Sequence, residues 1–538
     1  FVSPSMMRGM FRISLLLLVN TNPIICYSVK SPLQTVRNIS SLANTRKRFT
    51  TFDRIHAQKD DDKYRDASED IKNEDEQNNL RGGGSPSGSS PPVKKNTSKR
   101  QMLSFAIPAL GIYLSNPLLS NIDNAFVGRT TGTQGLAALS PATICTDQMI
   151  YLFSFLSRAT TGLVSRAYGA EEKNVEAAKE AGSPPLTVAL FCGFLLSIFY
   201  FFFTPSMLSM LNVDPALRPS AASYIYFRGA IAWAALSQNV ALSVMMSTKD
   251  SITPLKIIGL AAVVNIVGDA LLCVWPLQLG CTGAAAATAF ATLLSSGFMV
   301  RALKKKNILP DIKMPTKKQF ADLMEFTGPL FAITITRLFG FINMQRTAMK
   351  LGVQHLAAYQ LSINVVIFFL LFGEPLSQLS QTELPSLIDK GDSSSIKATL
   401  KSVLLLGALG SLGVGAIAGM LLYFGSGIFS SDIVVQNLAK GAAPAVFMTV
   451  ATAIFTVTVD GAMLASRDFT YMLVQGTLSM LLQLKLLSWC TNISDIYATF
   501  TLRLGGYAII ALARMALGQG KLGSIIRKGK STIPSPQA

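Results

Sequence analysis

Histidine is nearly missing from this chain, with two in 538 residues, and the six cysteines, Cys26, Cys145, Cys192, Cys273, Cys281 and Cys490, show no CxxC or Cys/His spacing. Neither a metal cluster nor a disulfide scaffold is indicated. Cys273 and Cys281 flank one short loop and could pair in an oxidising compartment; the other reading makes them buried small hydrophobes. Charge is scarce as well. Only 14% of the residues are charged, half are hydrophobic, and the mean hydropathy is +0.40. That balance excludes an ordinary soluble protein. The net charge of +18 does not point to nucleic acid, because the basic residues cluster between apolar blocks instead of interleaving with aromatics on one face.

What the sequence does have is apolar blocks of roughly 20 residues or more, the length that crosses a bilayer core. They predict twelve spans, at about 102–125, 136–164, 186–209, 221–247, 252–274, 279–303, 320–349, 353–384, 397–425, 436–465, 470–490 and 494–517. The fold class is therefore an all-α polytopic membrane protein. Loops after even-numbered spans carry most of the Lys and Arg, whereas those after odd-numbered spans offer little beyond Arg129, Arg218, Lys350 and Lys440. By the positive-inside rule both termini and "RALKKKNILPDIKMPTKKQF" face the cytoplasm, or the stroma of a plastid.

The second half repeats the first. "GTQGLAALS" from Gly132 matches "GVQHLAAYQ" from Gly352, Phe105 and Pro108 answer to Phe326 and Pro329, Gly169 to Gly391, and Lys249–Asp250 to Arg467–Asp468, at offsets between 218 and 222. Each half holds an even number of spans, so the two six-helix lobes lie the same way up with a cavity between them. The expected division is an N-lobe over 101–305, a basic inter-lobe loop over 306–319, a C-lobe over 320–518 and a basic tail over 519–538. Ahead of these, residues 1–52 read as a targeting leader. "MMRGMFRISLLLLVN" has signal-peptide character and the acid-free stretch after it has transit-peptide composition, so a two-part plastid leader and a plain secretory leader are both open. Residues 53–100 are polar and Gly/Ser/Pro-rich, a disordered linker.

Acids inside the spans are the candidates for function, since a carboxylate in hydrocarbon costs about 2.5–3.5 kcal/mol or more and must face a cavity or a partner. Asp123 follows Pro108 and Pro117 in a span expected to bend; it is read either as part of an ion path or as a helix-end acid in water. Asn265 and Asp269 stand one turn apart on one face, and Thr288 lies in the next span, "GCTGAAAATAFATLL", whose small residues admit close approach. Together these four supply an oxygen set suited to a proton or a hard cation such as Na⁺; interhelical hydrogen bonding alone is the rival account. Asp147 reads as a solvated cavity wall. Glu374, Gln378 and Gln381 form a polar stripe that either lines a substrate chamber or, through Glu374, pairs with Arg337 or Arg346. Asp460 beside Gly461 is balanced between helix packing and a place in the substrate cavity.

Taken in order, "NIDNAFVGRTTGTQGLAALS", "GLVSRAYGAEEKN", "VVNIVGDALL", "LGCTGAAAATAFA", "FTGPLF", "LGVQHLAAYQLS" and "VDGAMLASRDF" resemble the multidrug and toxic compound extrusion (MATE) family, in its DinF-like branch of bacteria and plant plastids. The resemblance covers about residues 100 to 520. It implies a twelve-helix antiporter, monomeric and without cofactor, that exports organic, often cationic or amphipathic, compounds in exchange for H⁺ or Na⁺. It also implies a cation site at Asp123, Asn265, Asp269 and Thr288, and no enzymatic activity. Many plant and animal members place a coupling glutamate in span 7; here "TGPLFAITITRLFGFINMQRTAMK" has arginines and no acid, which favours coupling in the N-lobe. The rival readings are a lipid or lipid-linked oligosaccharide flippase of the same plan, kept open by Arg158, Arg228, Arg337, Arg346 and Arg503, and, further off, an intramembrane hydrolase or a channel.

Overall fold

In a bilayer the backbone has no water to bond, so apolar segments must close their hydrogen bonds internally, and among the described residues the chain forms helices and no strand. The computed structural model describes residues 99–528 apart from 171–173, 212, 275 and 431. The leader, all of the linker but its last two residues, and the last ten residues of the tail lie outside the described residues.

The helices are α1 (Lys99–Leu152), α2 (Ser154–Ala170), α3 (Val175–Met210), α4 (Arg218–Ala230), α5 (Ala232–Ser247), α6 (Ile252–Asp269), α7 (Gly280–Lys305), α8 (Lys317–Lys350), α9 (Val353–Leu370), α10 (Glu374–Asp389), α11 (Ser393–Phe429), α12 (Ile433–Ala465), α13 (Phe469–Leu487), α14 (Ile493–Ala516) and α15 (Gly520–Lys528). Grouped across their short breaks, α1 to α14 follow the twelve expected stretches one for one. Among the described residues nine helical runs are long and apolar enough to cross a bilayer on their own, or ten when α4 and α5, bent by 50° at their junction, count as one. The two stretches that fall short have physical reasons. Residues 133–170 are interrupted at Phe153 and carry Asp147, Arg158 and Arg166, and α13 is only 19 residues long and carries Gln475, Gln483 and Lys485.

Pro108 and Pro117 keep helical dihedrals, and the break inside α1 is at Gly132, with φ 63 and ψ −149, a conformation closed to residues bearing a Cβ. Its repeat partner Gly352, at the start of α9, also has positive φ, 111. Lys249 and Arg467, the other repeated pair, are left-handed too, at φ 65 and 59. The duplication is thus visible in the backbone as well as in the letters.

Lipid-facing and core-facing sides separate cleanly along α3. Phe191, Phe194, Phe201 and Phe202 are exposed, while Tyr200 is buried and donates to the Cys145 carbonyl at 3.0 Å. The same inversion of a soluble protein's pattern runs along α11, with Leu409, Leu412, Met420 and Phe424 outward. Cys273 and Cys281 are both free and buried, so the disulfide alternative does not hold.

One hydrophobic core belongs to both halves: Leu156 and Ala159 of α2 pack with Leu323 and Phe326 of α8 and with Leu384 and Ile388 of α10. The seam that α10 makes with α2 and with the turn after α5 is polar as well. Arg166 Nε donates to Asp389 Oδ2 at 2.7 Å, Lys249 Nζ to Glu383 Oε2 at 2.7 Å, and Ser165 Oγ to the Gln381 carbonyl at 2.9 Å. These contacts lie where the Lys- and Arg-rich connections gather, so the halves are closed against each other at that end.

Candidate functional site

Asp123 lies within α1, and the same-face pair of α6, Asn265 and Asp269, faces it. Asn265 Nδ2 donates to Asp123 Oδ1 at 2.8 Å and to Asp269 Oδ2 at 3.2 Å, so a single amide group bridges carboxylates from two helices. Thr288 of α7 places its hydroxyl 3.2 Å from the second Asp123 oxygen and 2.9 Å from the Ala284 carbonyl. All four sequence candidates of the first half therefore meet in one cluster. Asp123 is 6% exposed, Asn265 1% and Asp269 0%, with Thr288 half-buried. The reading of Asp123 as a helix-end acid in water is not what the structure shows.

Just past Asp269 the helix widens into a π-turn, Ala270–Val274, a local irregularity that recurs near functional groups. Cys273, within it, donates to the Gly280 carbonyl at 3.3 Å and ties the turn to the start of α7. The chemistry of the cluster is one-sided: two carboxylates, an amide and a hydroxyl. Asn265 Oδ1 is buried with no hydrogen-bond partner among the described residues, an acceptor left over once the amide protons are spent. Two buried carboxylates in one network need a proton or a cation between them, and this oxygen set fits either. Among the described residues no group of three or more His, Cys, Asp or Glu side chains converges as a metal site.

The other candidates are distributed differently. Asp147 Oδ1 accepts from Arg228 Nη2 at 2.5 Å and keeps about half of its side chain exposed. Glu374 pairs with Arg158 at 3.3 Å, not with Arg337 or Arg346 as the sequence alternative had it. The reason is topological, since α10 packs on α2. Gln378 and Gln381 are buried in that same contact, Gln378 donating to Thr161 Oγ1 at 3.2 Å and accepting from the Tyr113 hydroxyl at 3.4 Å. Asp460, 2% exposed, is bound by Arg337 and lines a cavity of about 100 Å³ whose walls come mainly from α8, α12, α13 and α14. Sequence reasoning missed the contact of Arg503 with Gln483 on that cavity's rim, because nothing in a single chain pairs an arginine with an amide 20 residues away.

The fold is a two-lobed helical membrane architecture, and its first half holds a buried acidic cluster. The MatE family model matches residues 108–271. Protein DETOXIFICATION 47, chloroplastic, of Arabidopsis thaliana is 28% identical over 379 residues, 69% of each chain. DNA damage-inducible protein F of Escherichia coli K12 is 29% identical over 212 residues, 39% of this chain and 46% of that one. In structure, the MATE transporter VcmN of Vibrio cholerae in its bent form superposes with a TM-score of 0.69 at 16% identity, covering 80% of this chain and 97% of the other. In sequence over residues 108–271 and against these relatives, and in fold over most of its length, the chain is similar to transporters of the MATE family.

Proposed function

We propose that this protein is a secondary antiporter that exports organic compounds, cationic or amphipathic ones among them, in exchange for H⁺ or Na⁺ by alternating access, with Asp123, Asn265, Asp269 and Thr288 as the coupling site. The observation that carries the reading is the single Asn265 amide bridging two buried carboxylates of α1 and α6. With one proton or one cation in the network the charge is balanced. Without it, two carboxylates compete for one amide, and α1 and α6 are pushed apart. Ion binding and helix position are then linked, and an ion can drive a conformational change only through such a difference between states. The seam at the basic-loop end supplies the second state's counterpart, because parting it exposes the cavity between the halves on that side.

The span arginines support this reading over a flippase. Of the five arginines that keep a flippase open, Arg158, Arg228 and Arg337 are each matched to an acid, Glu374, Asp147 and Asp460, and Arg503 donates to the Gln483 amide. The chloroplastic relatives and the leader composition support a plastid membrane, with both termini and the basic loops on the stromal side. The test is ion-driven substrate efflux in proteoliposomes. Asp123→Asn and Asp269→Asn each abolish coupling, seen as efflux that no longer follows the imposed ion gradient. Wild-type rates with unchanged ion dependence in both variants overturn the mechanism.

A further inference from the structure

The segment that joins the two halves is strapped to the first of them. α7 ends at Lys305, Asn307 turns left-handed at φ 57, and the Ile308 amide closes back on the Leu303 carbonyl at 3.1 Å. The chain then lies along α3. Pro310 packs on Gly182, where a Cβ would stand 2.8 Å from its ring. The Ser183 hydroxyl donates to the Asp311 carbonyl, and the Thr187 hydroxyl to the Lys313 carbonyl at 3.0 Å. Ser183 and Thr187 are about one helical turn apart and grip carbonyls two residues apart, so the strap follows the α3 axis in extended form.

That attachment sets its depth. α3 enters the membrane from the basic-loop side, and its apolar stretch starts at about residue 186. Thr187 therefore holds Lys313 at the level where headgroups give way to acyl chains. Apolar residues occupy alternate positions from Ile308 to Met314. Ile308 and Pro310 are buried, whereas Ile312 is 69% exposed and Met314 85%. The surroundings are cationic: residues 301–320 hold seven Lys and Arg against Asp311 alone. Lys306 pairs with Asp250, and Lys313 shares Asp311 with Lys179, at 2.9 and 3.4 Å. Lys317 and Lys318 are exposed and make no ion pair among the described residues. Counting Glu176 and Glu180 of α3 and Asp322 and Glu325 of α8 as well leaves the balance positive.

We propose that residues 308–318 are an interfacial strap that binds anionic lipid headgroups, with Ile312 and Met314 entering the acyl boundary and Lys313, Lys317 and Lys318 meeting the headgroup charge. A small soluble anion would meet the lysines and leave both apolar side chains in water; a charged bilayer surface satisfies both. The strap ends at Thr316, whose capping box with Gln319 starts α8, so the lipid holds the covalent link between the halves at the first turn of the second. The inference is independent of cargo and of coupling ion.

The test places the photoreactive residue p-benzoylphenylalanine at Ile312, at Met314, or at Phe424, a 79% exposed control on α11. Each full-length protein is irradiated in nanodiscs of equimolar phosphatidylcholine and phosphatidylglycerol, and the adducts are weighed by mass spectrometry. Lipid adducts form at all three positions. At Met314 phosphatidylglycerol exceeds phosphatidylcholine at least about five-fold, the factor one lysine beside an anionic surface supplies, and at Phe424 by less than about two-fold. Replacing Lys313, Lys317 and Lys318 together by Gln brings the Met314 ratio down to that of Phe424 while lipid adducts persist. Salt at about 0.5 M lowers the ratio in the unsubstituted strap and gives the readout should the triple variant not be recovered. Four results overturn the assignment: no lipid adduct at Ile312 and Met314; adducts there with the chain's own acidic stretch 60–76 instead; a Met314 ratio no higher than that of Phe424; or a ratio that survives the triple substitution or, where that variant is not recovered, the salt.

Discussion

Replacing Glu383 with Gln removes the carboxylate from the Lys249–Glu383 pair that joins α10 to the turn after α5. The pair is closed at 2.7 Å, with Glu383 9% exposed in its side chain and Lys249 51%. Breaking a fully buried ion pair costs about 3–5 kcal/mol, and an exposed one about 0–1 kcal/mol. Half of this pair faces solvent, so the loss is discounted to about 1–2 kcal/mol, a shift of roughly five- to thirty-fold in a two-state equilibrium. If parting the seam separates the two residues, that whole factor goes to the state open at the basic-loop end. Nitroxide labels at Lys305 and Lys390, exposed positions on the two halves, report the change as a longer-distance population in pulsed electron resonance. In a Lys249→Met background the same Gln substitution has no further effect, because its partner is already gone. An unchanged distance distribution in Glu383→Gln, or an equal shift in both backgrounds, refutes the assignment of this pair as a latch.

Three further outcomes are expected. Asn265→Leu strips both carboxylates of their shared donor; hydrogen bonds to charged groups contribute about 1.5–3 kcal/mol each, so thermal unfolding in detergent drops by several degrees, and a variant as stable as wild type refutes the bridging role. Asp392 caps α11, and hydrogen bonds from the Ser395 and Ser394 hydroxyls hold its carboxyl down to about 2. Its stabilisation is therefore complete above the ordinary value of 3.8 and fades as pH falls through about 2, so Asp392→Ala costs about 1 kcal/mol at neutral pH in chemical denaturation, and the gap between the two proteins narrows in acid. Gly132→Ala forces a Cβ into φ 63, ψ −149 and costs about 1–3 kcal/mol, whereas Gly259→Ala, in helical α6 with open space around it, costs none; equal melting temperatures for the two variants refute the strain argument.

How much of this was legible before any coordinates depends on what kind of information each feature uses. The twelve helical stretches follow from apolar length, a local property. The Asn265–Asp269 pair follows from helical spacing, also local, and Asp123 and Thr288 joined it through a resemblance that spans several helices. Their meeting is non-local, yet readable in advance because buried acids must find company. Illegible were the pairings whose choice depends on which helices touch. Glu374 could reach several arginines on paper, and only the packing of α10 on α2 selects Arg158. Arg503 lay further out of reach, because its partner is neutral and its notch is the missing side chain of a glycine on another helix.

The two halves also diverge in a way that neither half reveals alone. Their joints keep the same backbone: Gly132 and Gly352 share positive φ, and so do Lys249 and Arg467. Their buried charges do not correspond. In the register of the repeat, Asp123 meets Asn343 or Met344, while Arg337 and Arg503 meet Asn116 and Ala285. A duplicated frame therefore carries a carboxylate cluster in its first half and a guanidinium-rich cavity in its second. The electrostatic sign of each region is set by a few side chains placed on a shared scaffold.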